Sequence, residues 1–363
     1  MTDRLWIGTR KGLFPVTRDA GGRWLVGTPH FLGDPVTYVL RDPRDGTLYA
    51  ALNLGHFGSK LRRSTDAGAT WAECAVPTYP KQPESRASEM AWKLQLLWTL
   101  AAGGANEPGR LWAGTIPGGL FRSDDRGDSW HLNESLWERP ERPQWQGGGY
   151  DGPGIHSILV DPRNSLRMLI GISSAGVWET TDGGATWQTA SKGLRAAYMP
   201  PELAHEPNAQ DPHSVQWCGA DPDRLWMQHH NGIFASTDGA RQWHEIERAG
   251  PSVFGFACAV HPREPNTAWF VPAVKDETRV PVDGRFVVTR TRDGGKSFDI
   301  LGNGLPPAPA YDLVYRHGLA IDANGRRLAM GSTTGGLWVT ENSGDHWHLI
   351  STHLPPIASV CFG

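Results

Sequence analysis

The chain has 363 residues, with 35 Lys and Arg set against 38 Asp and Glu, so the formal net charge is -3. That balance excludes a basic face able to bind nucleic acid by releasing counterions, and no apolar run reaches transmembrane length. The 44 Gly and 28 Pro suit a chain with many turns, and 17 Trp demand a repeated structural use.

In chain order, the first segment, MTDRLWIGTRKGLF, lacks the apolar stretch of a secretory signal, so the expectation is a soluble cytoplasmic protein with reduced thiols. None of Cys74, Cys218, Cys258 and Cys361 forms a CxxC pair; the last three lie in apolar runs and read as buried free thiols. Three strands are predicted at 4–9 (RLWIGT), 12–17 (GLFPVT) and 24–28 (WLVGT). Between the second and third lies the octet at 17–24, TRDAGGRW. It keeps the Asp19 to Trp24 interval of a fuller pattern, Ser/Thr-x-Asp-x-Gly-x-Ser/Thr-Trp, found at 64–71 (STDAGATW), 123–130 (SDDRGDSW) and 180–187 (TTDGGATW). It returns more loosely at 236–243 (STDGARQW), 291–298 (TRDGGKSF) and 340–347 (TENSGDHW).

Each octet reads as a hairpin turn. Asp and Ser/Thr side chains bond nearby backbone amides, Gly supplies a positive φ, and the closing Trp opens the next strand and packs against the turn. Two strand-like runs precede each turn, such as RLWAGT (110–115) and GLFRSD (119–124). An apolar inner strand precedes those, at 38–42, within 92–101, and at 157–161, 214–221, 256–260 and 318–322. Four strands and a turn, used seven times, predict an all-β seven-bladed propeller with four-stranded antiparallel blades. The first three strands lack an inner partner and IASVCFG (357–363) lacks outer ones, so the C-terminal strand should complete the first blade of a single domain spanning 1–363.

The octets resemble those of the Asp-box, or BNR-repeat, propellers: sialidases, sortilin ectodomains, two-propeller xyloglucanases and photosystem II assembly factors. The resemblance implies the fold and says little about activity. Sialidases carry six blades, an arginine triad and an Arg-Ile-Pro motif; the nearest string here is Arg279-Val280-Pro281 in the sixth blade, so sialidase activity is not expected. The xyloglucanases use a cleft between two propellers, each supplying an acidic residue, and one propeller alone would need a partner for that cleft.

Propeller topology gathers inner-strand starts, second-to-third-strand loops and inter-blade connections on one face, where binding loops collect. His156, His213 and His317 open inner strands, while His56 and His230 fall in loops of the same rim. Three readings follow. The first is a pocket for a polar small molecule, such as a carbohydrate, with Glu89 and Asp151 as catalytic carboxylates and Arg10, His56, Lys275, Arg316, Trp98 and Tyr150 as ligand contacts. The second is a metal-dependent enzyme with His156, His213, His230 and His317 around a divalent transition metal. The third is a non-catalytic scaffold with a protein partner on that rim. His261 and His346 are expected on the opposite face in structural roles.

Overall fold

The octets fold as their turn chemistry requires. A computed structural model describes residues 3–147 and 150–363. Within it, Ser64 donates to Asp66 Oδ1 at 2.7 Å and accepts from the Gly68 N–H at 2.9 Å. Asp66 in turn accepts from the Thr70 N–H at 2.9 Å and from its hydroxyl at 2.6 Å. The same four bonds recur at 123–129, 180–186 and 291–297. Gln242 offers Asp238 only its backbone N–H, and in the seventh octet Asn342 takes the place of the aspartate. In the first, the Arg23 N–H and guanidinium replace the missing hydroxyl at Asp19.

Two details differ from the sequence reading. Six of the turns hold two consecutive left-handed residues, as at Ala67 (φ 56°) and Gly68 (φ 88°), where a single glycine was expected. Ala240 therefore sits at φ 71° in a position that other octets fill with glycine. Two of the closing tryptophans also bond beyond their own turns, although Trp130 still packs near its turn glycine, Gly127. Trp130 Nε1 donates to the Ala75 carbonyl of the preceding blade at 3.0 Å, and Trp187 Nε1 to Asn133 Oδ1 at 2.8 Å. At these two positions the indole ties one blade to the blade before it.

Hydrogen bonds, chiefly from the paired hydroxyl and the turn amides, hold Asp66, Asp182 and Asp293 far below the usual carboxylate range, at about 2. Asp125 is held at about 2 by the Ser129 hydroxyl against a smaller opposing effect of burial. A carboxylate depressed in the folded state binds fewer protons than in the unfolded chain. Its contribution is therefore complete above pH ~4 and is lost as pH falls towards ~2. Thermal melts at pH 5, 3 and 2 should show a steep loss across that window. Replacing all four aspartates by Asn, the residue used in the seventh octet, should lessen it, leaving the part due to Asp161, which burial raises but Arg163 and Arg167 hold at about 2.

Seven antiparallel sheets of four strands result, and the architecture is a seven-bladed β-propeller. The first blade is built from Arg4–Thr9, Gly12–Arg18 and Trp24–Val26, completed by the C-terminal strand Ile357–Phe362 beside Arg4–Thr9, as the sequence implied. The inner strand of the third blade, left open within 92–101, is Leu96–Ala102. The chain forms two compact units, Met1–Val39 with His213–Gly363, and Leu40–Pro212. Both divisions fall inside a strand, Val36–Arg41 and Pro212–Cys218, so the fifth blade runs unbroken through the second of them.

In each unit the core lies between neighbouring sheets. Trp112, Leu120, Ile155, Met168, Ile170 and Trp178 fill the space between the third and fourth blades. Trp269, Val288, Leu319, Met330 and Trp338 do so between the sixth and seventh. Cys218 and Cys258 are buried thiols in the layer between the fifth and sixth, Cys74 is buried as well, and Cys361 is part-exposed. No helix among the described residues is long and apolar enough to cross a membrane.

Candidate functional site

The fifth blade brings two of the singled-out histidines together. Its chain enters after a short turn, Pro207–Ala209, and is anchored by Gln210. The Gln210 side-chain amide is buried and donates to the carbonyls of Ala204 and Glu206 at 3.0 and 2.9 Å. Asp211 follows, its Oδ1 accepting from the Ser174 N–H at 3.1 Å. Alternation along the extended chain then puts Asp211 and His213 on one side. The second strand, Asp221–His229, runs back and ends in a tight turn that carries His230. The ligand atoms of Asp211, His213 and His230 all lie within 4.8 Å of one another, and they are the one His/Cys/Asp/Glu group of this kind among the described residues.

The histidine tautomer is set by the sixth blade. His213 is buried, with Nδ1 2.7 Å from the Gly255 carbonyl oxygen. A carbonyl can only accept, so Nδ1 carries a proton, and in the neutral imidazole Nε2 presents its lone pair. The His213 ring stacks on Phe256 at 4.5 Å and 12°, and Phe254 meets His213 and His230 edge-on at 5.8 and 5.9 Å. Gly255 has to be glycine between these two rings, because a Cβ there would collide with the Val271 carbonyl. Behind Phe256 stand Tyr315 and the guanidinium groups of Arg279 and Arg316, 5.3 and 5.6 Å from the ring centre. Arg279 is ion-paired to Asp276 at 2.6 Å. Two imidazoles and a carboxylate against an apolar wall can hold a cation or relay a proton.

The other histidines have different neighbours. His156 is buried, with Nδ1 2.9 Å from the Ser157 hydroxyl and its ring edge-on to Trp98 at 5.5 Å. His317 lies edge-on to Tyr38 at 4.7 Å, and its carbonyl accepts from the Val360 N–H. His56 sits in the short turn Gly55–Phe57, exposed, with its ring against Phe57. The sequence positions of His156 and His317 match that of His213, but neither belongs to the metal-capable group. Asp211, Phe254 and Phe256 were missed; the Asp-Pro-His triplet was the available signal for the first.

Within the Leu40–Pro212 unit, Glu89 is not a free carboxylate. It pairs with Arg86 at 2.5 Å and with Arg142 at 2.6 Å, and accepts from Trp92 Nε1 at 3.3 Å. Burial raises its pKa, but the hydrogen bonds from Arg86, Arg142 and Trp92 outweigh that and hold it below the usual range. Arg142 lies over the Trp137 ring, 3.4 Å from its centre. Trp98 is buried, and Tyr150 meets it edge-on at 5.2 Å while remaining half exposed to solvent. Gly154 lets the backbone pass close over the Trp98 ring, where a Cβ would collide with it. Asp151, next to Tyr150, is exposed.

In the other unit, Arg10 is exposed at the first hairpin turn, its N–H donating to the Pro356 carbonyl. Lys275 is exposed and lies 3.5 Å from Glu277, whereas Arg316 is buried. His261 is part of a turn: its Nδ1 accepts from the N–H groups of Arg263 and Glu264. It lines a groove of about 530 Å³ with Arg263, Arg292, Asn324 and Asp345, at the opposite end of the sixth-blade inner strand from Phe254.

No protein-family model matches the chain. A probable oligoxyloglucan-reducing end-specific xyloglucanase of Neosartorya fischeri is 23% identical over 352 residues, covering 89% of this chain and 39% of that protein. The chain thus spans about two fifths of that relative's length. Among solved structures, the GH74 xyloglucanase of Xanthomonas campestris superposes with a TM-score of 0.67 at 20% identity, over 97% of this chain and 53% of that one. YCF48 from Cyanidioschyzon merolae superposes with a TM-score of 0.56 at 12% identity, over 88% and 87%. These likenesses agree on the propeller.

Proposed function

We propose that the chain is a carbohydrate-binding propeller whose ligand is a xyloglucan-type oligosaccharide. The observation that carries this reading is the match, along 89% of the chain, to a protein named as a xyloglucanase. The cluster around Trp98 supplies the chemistry. Tyr150, half exposed and braced on Trp98, offers a flat face for the apolar side of a sugar ring, and Asp151 beside it offers an acceptor for hydroxyls. The activity proposed is recognition. Glycoside hydrolysis needs one carboxyl that keeps a proton to give to the leaving group. Glu89, pinned between Arg86 and Arg142, is a poor donor.

Titration calorimetry of the full chain with xyloglucan heptasaccharide should give saturable binding. Tyr150→Ala, at an exposed position, should fold normally and bind about tenfold more weakly. Failure of every xyloglucan oligosaccharide to bind, or unchanged affinity in the Tyr150 variant, would overturn the reading.

A further inference from the structure

We propose that Asp211, His213 and His230 form a binding site for a divalent transition-metal ion of borderline softness, such as Zn²⁺. Four features of the fifth blade carry this. The donor set, two imidazole nitrogens and one carboxylate, matches such ions and leaves coordination positions for water or a ligand. The ligand atoms already lie within 4.8 Å of one another. Ligands of one ion stand about 3–4 Å apart at bond lengths of about 2.0–2.2 Å, so the three groups need to draw closer by no more than about 1–2 Å. The Gly255 carbonyl holds neutral His213 in the tautomer that directs Nε2 to a metal, one of the usual outer supports of a ligating histidine. The Ser174 N–H orients Asp211 in the same way.

The surroundings favour the cation further. Asp211 and His213 are both buried, and Phe254 and Phe256 wall the imidazoles, which limits competition from solvent. Of the two guanidinium groups described behind that wall, that of Arg279 is offset by Asp276, and that of the buried Arg316 is a positive charge set against the cation. All three ligands come from one blade and its entry, two of them separated in the chain by Pro212 alone. The site is therefore set by local strand geometry rather than by how distant blades meet. Sequence position suggested a ring of inner-strand histidines; the geometry points to a single-blade site in which a carboxylate stands where His156 and His317 were expected.

The test uses the full chain prepared without a polyhistidine tag and stripped with EDTA. Calorimetric titration with ZnCl₂, and with CoCl₂ followed by visible absorption, should give one ion per chain and a raised melting temperature. His230→Ala changes a part-exposed side chain and Asp211→Asn keeps the shape of a buried one; both should retain the fold. Each should weaken Zn²⁺ binding by about a hundredfold or more. No stoichiometric binding of either ion to the wild-type chain would overturn the proposal, as would binding that both variants preserve. Repeating the oligosaccharide titration in EDTA separates this outcome from the carbohydrate reading, whose contacts lie at Trp98 and Tyr150.

Discussion

A chain ending at residue 356 should lose its cooperative thermal transition. The strand Ile357–Phe362 is the partner of Arg4–Thr9 on one side, with Ile7 opposite Val360 and Trp6 opposite Cys361. Ile357 and Val360 are buried in the layer that also holds Leu5, Ile7, Leu337 and Val339. The same strand reaches the seventh blade, where the Val360 N–H donates to the His317 carbonyl and the Ile357 N–H to that of Ser332. Burying two such side chains is worth about 1.5–3 kcal/mol each, and each ladder bond about 1 kcal/mol. Their sum is comparable with the entire stability of a typical domain, about 5–15 kcal/mol. Truncation would also bare the edge of Arg4–Thr9, a row of unpaired backbone groups beside buried apolar residues, so aggregation is expected as well. Since Phe362 lies opposite Leu5, moving 357–363 ahead of residue 3 through a short turn should restore the native melt. A truncated chain melting within a few degrees of the full one would refute the argument.

Why the blades were legible in the sequence, and the site only partly, follows from the range of the interactions. An octet is held by bonds spanning four residues, as from Thr70 to Asp66, so its chemistry is written in consecutive letters. The strand completing the first blade could be inferred because each blade needs four strands and the two chain ends supplied three and one. Glu89 shows the limit. Its character is set by Arg142, 53 residues later, and nothing near Glu89 in the chain announces that partner. The inner-strand histidines show it again. His156, His213 and His317 occupy like positions, yet one meets Trp98, one meets Phe256 and the Gly255 carbonyl, and one meets Tyr38. Which of them can ligate a metal depends on the neighbouring strand, and periodicity carries no information about that. Asp211 and His213 are the instructive case, since alternation alone put them on one side of the chain and only the turn at His230 turned a pair into a site.

Glu89→Ala should destabilise the protein by about 3–5 kcal/mol, an effect on folding rather than on turnover. The reason lies with the residue left behind. Arg142 is buried, its side chain 7% exposed, and it rests on Trp137 with Glu89 as its ion-pair partner. Removing the carboxylate strands a guanidinium in a low-dielectric setting, and the cost of that unpaired charge exceeds what the pair contributes when intact. Arg86 would keep Glu138 and Trp92 its contact with Trp137, but the ion pair joining 86–92 to Arg142 would be cut. Glu89→Gln should cost less, because the amide oxygen still accepts from Arg142. The double variant Glu89→Leu with Arg142→Met should be more stable than Glu89→Ala, because it removes both charges and fills the same volume. That ordering (wild type, Gln, the double variant, then Ala last) is what chemical denaturation should return if Glu89 is a structural ion. A residue held ready for catalysis predicts the reverse, since exchanging a strained or poised carboxylate for alanine leaves stability unchanged or raises it. A Glu89→Ala protein as stable as the wild type would therefore return Glu89 to the list of candidate acids, and with it the case for hydrolysis.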